Sequence, residues 1–389
     1  MVDIGTATIS TTRTVSGTAD PRVTVHAGRD AALAAVDAIP SDAVCSAYQR
    51  ADFLRAWVGQ SPHEPVFVSL RPANAGPVLL PLERTQSGNL AYPGERHANG
   101  NFPVGRAEDL AALADLGESR IVSALRAAGL GADAIVLERQ LAECGGVANP
   151  FVFSRSHVSP NPALSLPLEG GFDAVLKRHS SKRRRKRFRG QERRLAEMGG
   201  YRFVPLVDAN DINRTLDRFS ELKAKHFQLA GIHDVFADPH VRGFFKDLFA
   251  AGLNETPPSR ELKTIEVGGV PIAIIGCTVH DGCLTVEFGT YATEYSEIGP
   301  GDMLFFLAIR EAAERGLDLF SFGIGDEPYK RGWCEIEALQ SDTVIALTLR
   351  GRAVASAKVA RGVLVRTIKS NKFLWTAVKQ IRKRIAILR

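Results

Sequence analysis

No run of 18 apolar residues occurs anywhere in the 389-residue chain, so the sequence offers no helix suited to crossing a bilayer. Cysteine is scarce as well. Cys45, Cys144, Cys277, Cys283 and Cys334 form no CxxC pair and have no histidine at ligand spacing, which argues against a disulfide framework and against a structural zinc. Free thiols in a reducing compartment fit that pattern better. The first twenty residues lack the cationic segment followed by an apolar stretch that marks a secretory signal. They read as a disordered leader, and the protein reads as cytoplasmic. What is present is ordinary: 45% hydrophobic, 24% charged and 7% aromatic residues exclude collagen-like, coiled-coil and wholly disordered classes. At this length, two domains of common size or one large one are expected.

Acidic residues are missing from two places. Residues 177–194 hold eleven Lys or Arg against the single Glu192, and residues 350–389 hold twelve and no Asp or Glu. With the whole chain at +6, the remainder stands at −16, so the alkaline character belongs to two patches and not to the body. Phe188 is the only aromatic in the first patch, which lacks the interleaved stacking residues of a single-strand nucleic-acid binder. That patch reads either as a solvated helix leaning on the acidic body or as a phosphate-binding wall. In the second, Leu374, Val378, Ile381, Ile385 and Leu388 recur at 4-3-4-3 spacing among cations, the pattern of a basic amphipathic helix. Such a helix over 356–389 docks on the acidic body or lies on an anionic membrane, where Trp375 beside Leu374 would favour the membrane.

Periodicity gives the first half a strand near Val23, helices over 31–39 and 46–58, extended runs at 65–70, 78–82 and 90–92, a helical region 107–128 and a strand 134–141. The second half repeats the order. It has a strand at 201–207, helices over 211–229 and 239–251, strands at 261–267, 271–279 and 284–291, a helix 302–315 and a strand 317–322. Gly268-Gly269 and Asp281-Gly282 are two-residue hairpin signals between the β-rich runs. Two similar α/β domains with mixed sheets follow, joined by a basic helix. The expected limits are a leader 1–20, a first domain 21–165, a linker helix 166–198, a second domain 199–350 and a basic tail 351–389.

Three segments carry chemistry. Gly299-Pro300-Gly301 stands before an amphipathic helix, with Asp302 as a candidate N-cap and Gly316 as a candidate C′ residue. The free N–H groups and dipole of such a helix start would hold a pyrophosphate. After the next strand, FGIGDEPYKRGW gathers Asp326, Glu327, Tyr329, Lys330 and Trp333. A carboxylate there would take a proton from a nucleophile, Tyr329 would return one to a leaving group, and Lys330 would meet phosphate or a developing oxyanion. The plain alternative is a solvated turn anchored by Trp333. In TVEFGTYATEY, Glu287 lies mid-strand beside Gly289, either as a general base or as a water-facing residue. His226 and His233 are further acid–base candidates.

SSKRRRKRFRGQERRLAEMG, YSEIGPG opening a helix and GDEPYKRGW after the following strand, in that order, resemble the GNAT-like acyltransferases grouped with CelD-type cellulose-biosynthesis proteins, relatives of the Fem-type aminoacyl transferases. The resemblance covers roughly residues 164–348. It implies a tandem GNAT-like fold with a degenerate first copy, and transfer of an acyl group from acetyl-CoA or another acyl-CoA to an amine or hydroxyl, in polysaccharide or cell-envelope biosynthesis. It places Gly299, Gly301, Asp302 and Lys330 at the donor, and Glu287, Asp326, Glu327 and Tyr329 at the chemistry. Where GNAT enzymes commonly carry Gln/Arg-x-x-Gly-x-Gly/Ala, Ser296 stands first, which removes one phosphate contact. Aminoacyl-tRNA as donor, and a non-catalytic accessory role in exopolysaccharide assembly, remain open alternatives. No metal and no DNA are expected. The acceptor would be a small molecule or glycan, and the location cytoplasmic with peripheral contact at the inner membrane face.

Overall fold

The computed structural model describes residues 10–15 and 21–370. The described residues divide into two compact units, one of residues 10–15, 21–160 and 339–367, the other of 161–338 and 368–370.

The first unit opens with β1 (Thr11–Val15), β2 (Arg22–Ala27), α1 (Arg29–Asp37), α2 (Ala51–Gln60), β3 (Val66–Arg71), β4 (Val78–Leu80), β5 (Glu83–Arg84) and β6 (Leu90–Ala91). It continues with α3 (Ala107–Asp115), α4 (Gly117–Ala127), β7 (Ala134–Gln140), the hairpin β8 (Glu143–Cys144) and β9 (Val147–Ala148), and β10 (His157–Val158). Strands β1 to β4 form one antiparallel sheet with apolar side chains on both faces. Val23, Val25, Val68 and Leu70 pack on Ile121 and Leu125 of α4, while Phe67 and Leu79 meet Ala32, Val36, Leu54 and Val58 of α1 and α2. Period-2 alternation therefore serves two layers of helix. The region 107–128 breaks in two at Gly117, whose φ of 73° is open to glycine and costly to other residues.

The second unit comprises β11 (Ala163–Pro167), α5 (Gly171–Arg178), α6 (Ser181–Glu197), β12 (Arg202–Val204), α7 (Ile212–Ala230), α8 (Pro239–Leu253), β13 (Arg260–Val267), β14 (Val270–His280), β15 (Cys283–Tyr291), α9 (Pro300–Glu314), β16 (Leu319–Ile324), α10 (Pro328–Arg331) and β17 (Ile336–Ala338). Its sheet runs β12-β13-β14-β15-β16-β11-β17, antiparallel except for the parallel pair β15/β16. Phe288 of β15 sits inside an aromatic cluster with Phe219 of α7 and Phe245 and Phe249 of α8, their ring centroids 4.3–5.5 Å away. Beyond β17 the chain re-enters the first unit. β18 (Ser341–Ala346) pairs there with β7 and β10, and α11 (Leu349–Ser370) follows.

The α/β class with mixed sheets and flanking helices is as the sequence indicates, and both hairpin turns are present, with positive φ at Gly268, Gly269, Asp281 and Gly282. Several limits differ. Thr11–Val15, expected within a disordered leader, pairs with β2 along its whole length. Ala163–Pro167 belongs to the second unit's sheet, and Ser341–Ala346 to the first unit's sheet. The segment read as one linker helix is two, α5 and α6, broken where Ser180 adopts a φ of 58°. Leu374, Trp375, Val378, Ile381, Ile385 and Leu388 lie outside the described residues. Among those described, no helix is long and apolar enough to cross a membrane.

Candidate functional site

The parallel pair β15/β16 stays in register from Cys283↔Leu319 to Thr285↔Ser321 and then ends, although both strands continue. Beyond that point β15 keeps its bonds to β14 and β16 pairs with β11, so the sheet parts between them. The strands are parallel, so the two loops that leave their carboxyl ends, 292–299 and 325–327, emerge on the same side of the gap. Ligands of open α/β sheets commonly bind at such ends.

The first loop runs into α9. Its N-cap is Gly299 in the left-handed region (φ 77°), with Pro300 at the first helical position. Asp302, the expected N-cap, instead lies in the first turn, makes no capping bond and pairs with Arg187 at 2.9 Å. At the far end, Gly316 is the C′ residue, with its N–H bonded to Ala313 O and that of Leu317 to Ala312 O, a Schellman arrangement. A salt-bridge cluster holds α9 to the sheet: fully buried Lys263 of β13 lies 2.7 Å from both Glu261 and Glu311, and Arg315 reaches Glu261 at 2.8 Å. Helix geometry leaves the N–H groups of Gly301 and Asp302 without intrahelical acceptors. With the dipole, they favour an anion.

The basic helix α6 lies against this loop. Phe188 stacks on Phe306 of α9 at 4.3 Å, which turns one face of α6 inward. That face carries buried Gln191, whose Nε2 donates to Ile298 O at 3.1 Å and Gly299 O at 2.9 Å, and Arg194, which donates to Glu297 O at 2.9 Å. A side chain at Gly299 would place its Cβ 3.2 Å from Gln191 Nε2. The long polar group missing at Ser296 thus has counterparts reaching in from α6. Lys182, Arg183, Lys186, Arg189 and Arg193 remain exposed on the same helix.

The second loop turns through α10. Lys330 is buried and its Nζ donates to Ile324 O at 2.8 Å and approaches Glu327 at 3.0 Å, so its ammonium holds the turn rather than projecting toward phosphate. Asp326 is exposed and paired with Arg331, which also meets Glu337 at 2.5 Å. Tyr329 stacks on Phe305 of α9 at 5.5 Å. Burial, then the neighbouring Glu327 charge, hold its hydroxyl above its ordinary pKa, so it stays protonated at neutral pH. Trp333 is a packing anchor, buried beneath the Arg184 guanidinium at 3.4 Å.

Two residues of α7, one turn apart, complete the cluster. Lys223 donates to Gly289 O of β15 at 2.9 Å, and burial lowers its pKa while the charges of Asp234, Glu327 and Lys330 act on it. His226 Nδ1 meets Thr290 Oγ1 at 3.1 Å, and its ring stands edge-on to Tyr291 at 4.7 Å. Burial, then Lys223, lower its pKa, and its buried Nε2 has no hydrogen-bond partner among the described residues. Glu287 is the extra residue of a bulge on β15, where Gly276 opposes Phe288 and Cys277 opposes Val286. Its carboxylate accepts from Thr278 Oγ1 of β14 at 2.7 Å, and Thr278 in turn accepts from Arg260. That contact leads toward β14 and away from the gap. His233 is exposed on the loop after α7. The geometry therefore joins Glu327, Tyr329, Lys330, Lys223 and His226, with Gly299, Gly301 and Asp302 at the helix start. Lys223 was not legible as a site residue, although Lys223 and His226 at i and i+3 share a helix face.

Residues 182–331 match the family model described as an acetyltransferase (GNAT) domain. A search of curated proteins finds no match. Among solved structures, the chain is similar to FemX (11% identity, TM-score 0.49, covering 81% of this chain and 95% of that one). It is similar also to a tandem GNAT protein from the clavulanic acid biosynthesis pathway (14%, 0.42, 82% and 92%). A third likeness is to a GCN5-related N-acetyltransferase from Kribbella flavida (14%, 0.31, 71% and 85%). The matched residues run from the basic helix through α10, the segment that builds the gap. The second unit thus has a GNAT-like acyltransferase fold. Among the described residues, no group of three or more His, Cys, Asp or Glu is placed to hold a metal ion.

Proposed function

We propose that the second unit transfers an acyl group from an acyl-CoA thioester, acetyl-CoA in the simplest case, to an amine or hydroxyl. One observation carries the reading: the parallel strands β15 and β16 part after Thr285/Ser321, with an anion-accepting helix start on one side and the Glu327–Tyr329 loop on the other. The donor's diphosphate fits the first turn of α9, where Gly299 and Gly301 keep the backbone approachable and Arg187, already beside Asp302, offsets that carboxylate. The unpartnered Nε2 of His226 calls for a polar neighbour, which a ligand in the gap would supply.

In this reading Glu327, an acceptor-only carboxylate beside Lys330, takes the proton of the acceptor as its nitrogen or oxygen bonds to the acyl carbon. Tyr329 gives its proton to the sulfur as the carbon–sulfur bond breaks, its phenol being protonated at neutral pH. Lys223 lies where it would stabilise negative charge developing on the acyl oxygen. The resemblance to CelD-type proteins directs the search for acceptors to amines and hydroxyls of cell-envelope glycans. The exposed cations of α6 favour one further reading, aminoacyl-tRNA as donor, because a row of exposed Lys and Arg suits a polyanionic backbone.

Calorimetric titration of the full chain with acetyl-CoA, longer acyl-CoAs and aminoacyl-tRNA tests the proposal, together with thiol release over a panel of amines and sugars. Saturable acyl-CoA binding with acceptor-dependent thiol release is the expected result. Binding of tRNA alone would move the donor to the Fem-type alternative, and silence toward every donor would leave the accessory role.

A further inference from the structure

The sheet of the first unit carries a concavity unrelated to the acyl-transfer reading. It spans about 290 Å³, open to solvent, between the α1-facing side of β1–β4 and the C-terminal end of α1, just below the roughly 300–1,000 Å³ usual for small-molecule sites. Its floor is apolar, with Ile39, Leu79 and Val104. Its polar side comes from alternate residues of β2 and β3. Arg22 stands directly opposite Arg71, and Thr24 opposite Ser69, with His26 next along the same face.

Two like charges directly opposed in an antiparallel pair are destabilising, and both guanidinium groups belong to exposed residues that a ligand can reach. Among the described residues no Asp or Glu lines the concavity, and none lies within ion-pair distance of Arg22 or Arg71. The acidic groups near the end of α1 are engaged elsewhere, Asp37 with Arg55 at 2.6 Å and Asp42 with Arg106 at 3.1 Å. The hydroxyls are already ordered toward the cavity wall: His26 Nε2 and Ser69 Oγ are 3.0 Å apart, and Thr14 and Thr24 hydroxyls 3.1 Å apart. Burial holds the His26 imidazole below its usual pKa, so at neutral pH it adds hydrogen-bonding capacity without a third positive charge.

We infer that the first unit binds a small organic anion, a carboxylate or phosphate monoester with a short apolar chain, its charged head between Arg22 and Arg71 and its chain on the Ile39–Leu79–Val104 floor. Guanidinium forks suit both head groups because each can make paired, charge-assisted hydrogen bonds. The first unit would then be a ligand-binding module and not only a degenerate copy of the second.

The test is calorimetry on the full chain with hexanoate and hexyl phosphate, and with 1-hexanol as the neutral control. At least one anion should bind saturably at millimolar concentration or better, with hexanol weaker by about tenfold or more. The double variant Arg22→Gln/Arg71→Gln should lose at least roughly tenfold in anion affinity, while Arg22→Lys and Arg71→Lys, which keep the charge but not the paired hydrogen bonds, should fall between the wild type and the double variant. Absence of saturable binding by both anions, or equal affinity in the wild type and the Gln/Gln variant, overturns the inference. Neither result depends on whether acyl-CoA binds the second unit.

Discussion

Glu327 and Glu83 are both carboxylates, yet their surroundings set them opposite tasks. Glu327 is exposed beside Lys330, so Glu327→Gln should leave acyl-CoA affinity nearly unchanged and lower turnover by about 10²–10⁴-fold. Glu287→Gln and Asp326→Asn should cost far less, because Glu287 is bonded toward β14 and Asp326 is paired with Arg331. Steady-state kinetics decide this; near wild-type turnover in all three variants would pass the base role to His226. Glu83 is buried in the first unit, accepting from Trp57 Nε1 at 2.6 Å, and burial pushes its pKa up to about 8. The folded state therefore holds a proton that the unfolded chain releases near pH 4.5. Stability should fall as pH rises from about 5 to 8, by an amount on the order of several kcal/mol, and level off above. Glu83→Gln should flatten that slope in urea titrations across the range, and a slope equal to wild type would show Glu83 already ionised. At this scale the sequence was half legible. Tyr329 and Glu327 stand in one short loop and His226 was a candidate by residue type alone, whereas Lys223 reaches the gap from a helix about a hundred residues away, and a contact across that distance leaves no local pattern.

Elements with a local cause were the readable ones. Gly-Gly and Asp-Gly demand left-handed turns wherever they occur between β-rich runs, and Pro300 fits the first position of α9 because its missing N–H costs nothing there. Strands β11 and β18 escaped notice for the opposite reason. Each is five or six residues long, and each takes its place from partners far along the chain, Phe320 for Leu166 and Val136 for Val344. The pairing of α6 with the loop before α9 is likewise tertiary: Phe188 and Gln191 share one buried face, and Gln191 is bonded to that loop. Gly301→Val tests that loop. Its Cβ would come 3.3 Å from the Tyr291 ring, a contact the ring can yield to, whereas substitution at Gly299 would strain a left-handed residue. Gly301→Val should keep its circular dichroism spectrum and lose at least about tenfold in CoA affinity, since the branched side chain stands where the diphosphate would approach. Unchanged affinity in the folded variant would take this loop out of the site.

At the scale of the whole chain, charge is segregated more strongly than the net of +6 discloses, with α6 and the last forty residues cationic and the rest acidic. The start of α11 is tied to the first unit: Thr348 Oγ1 donates to the Asp133 carboxylate at 2.5 Å, and Lys358 pairs with Glu138 at 2.8 Å. Further along, Val363 and Leu364 are each 58% exposed, with exposed Arg361 on the same helix. The sequence beyond continues the pattern, with Leu374, Val378, Ile381 and Ile385 among Lys372, Lys379, Arg382, Lys383 and Arg384. Apolar burial and electrostatic attraction would act together at an anionic bilayer, each cation contributing about 1 kcal/mol near the surface. The full chain should therefore sediment with anionic liposomes at low salt. A chain ending at Ser370, which keeps the Lys358–Glu138 anchor, should stay in the supernatant and still bind CoA. High salt should release the full chain, since the Debye length shrinks to roughly 3 Å at 1 M. If the intact protein stays in the supernatant at low salt while a peptide of residues 371–389 binds the same liposomes, the tail is engaged by the acidic body and membrane attachment is ruled out.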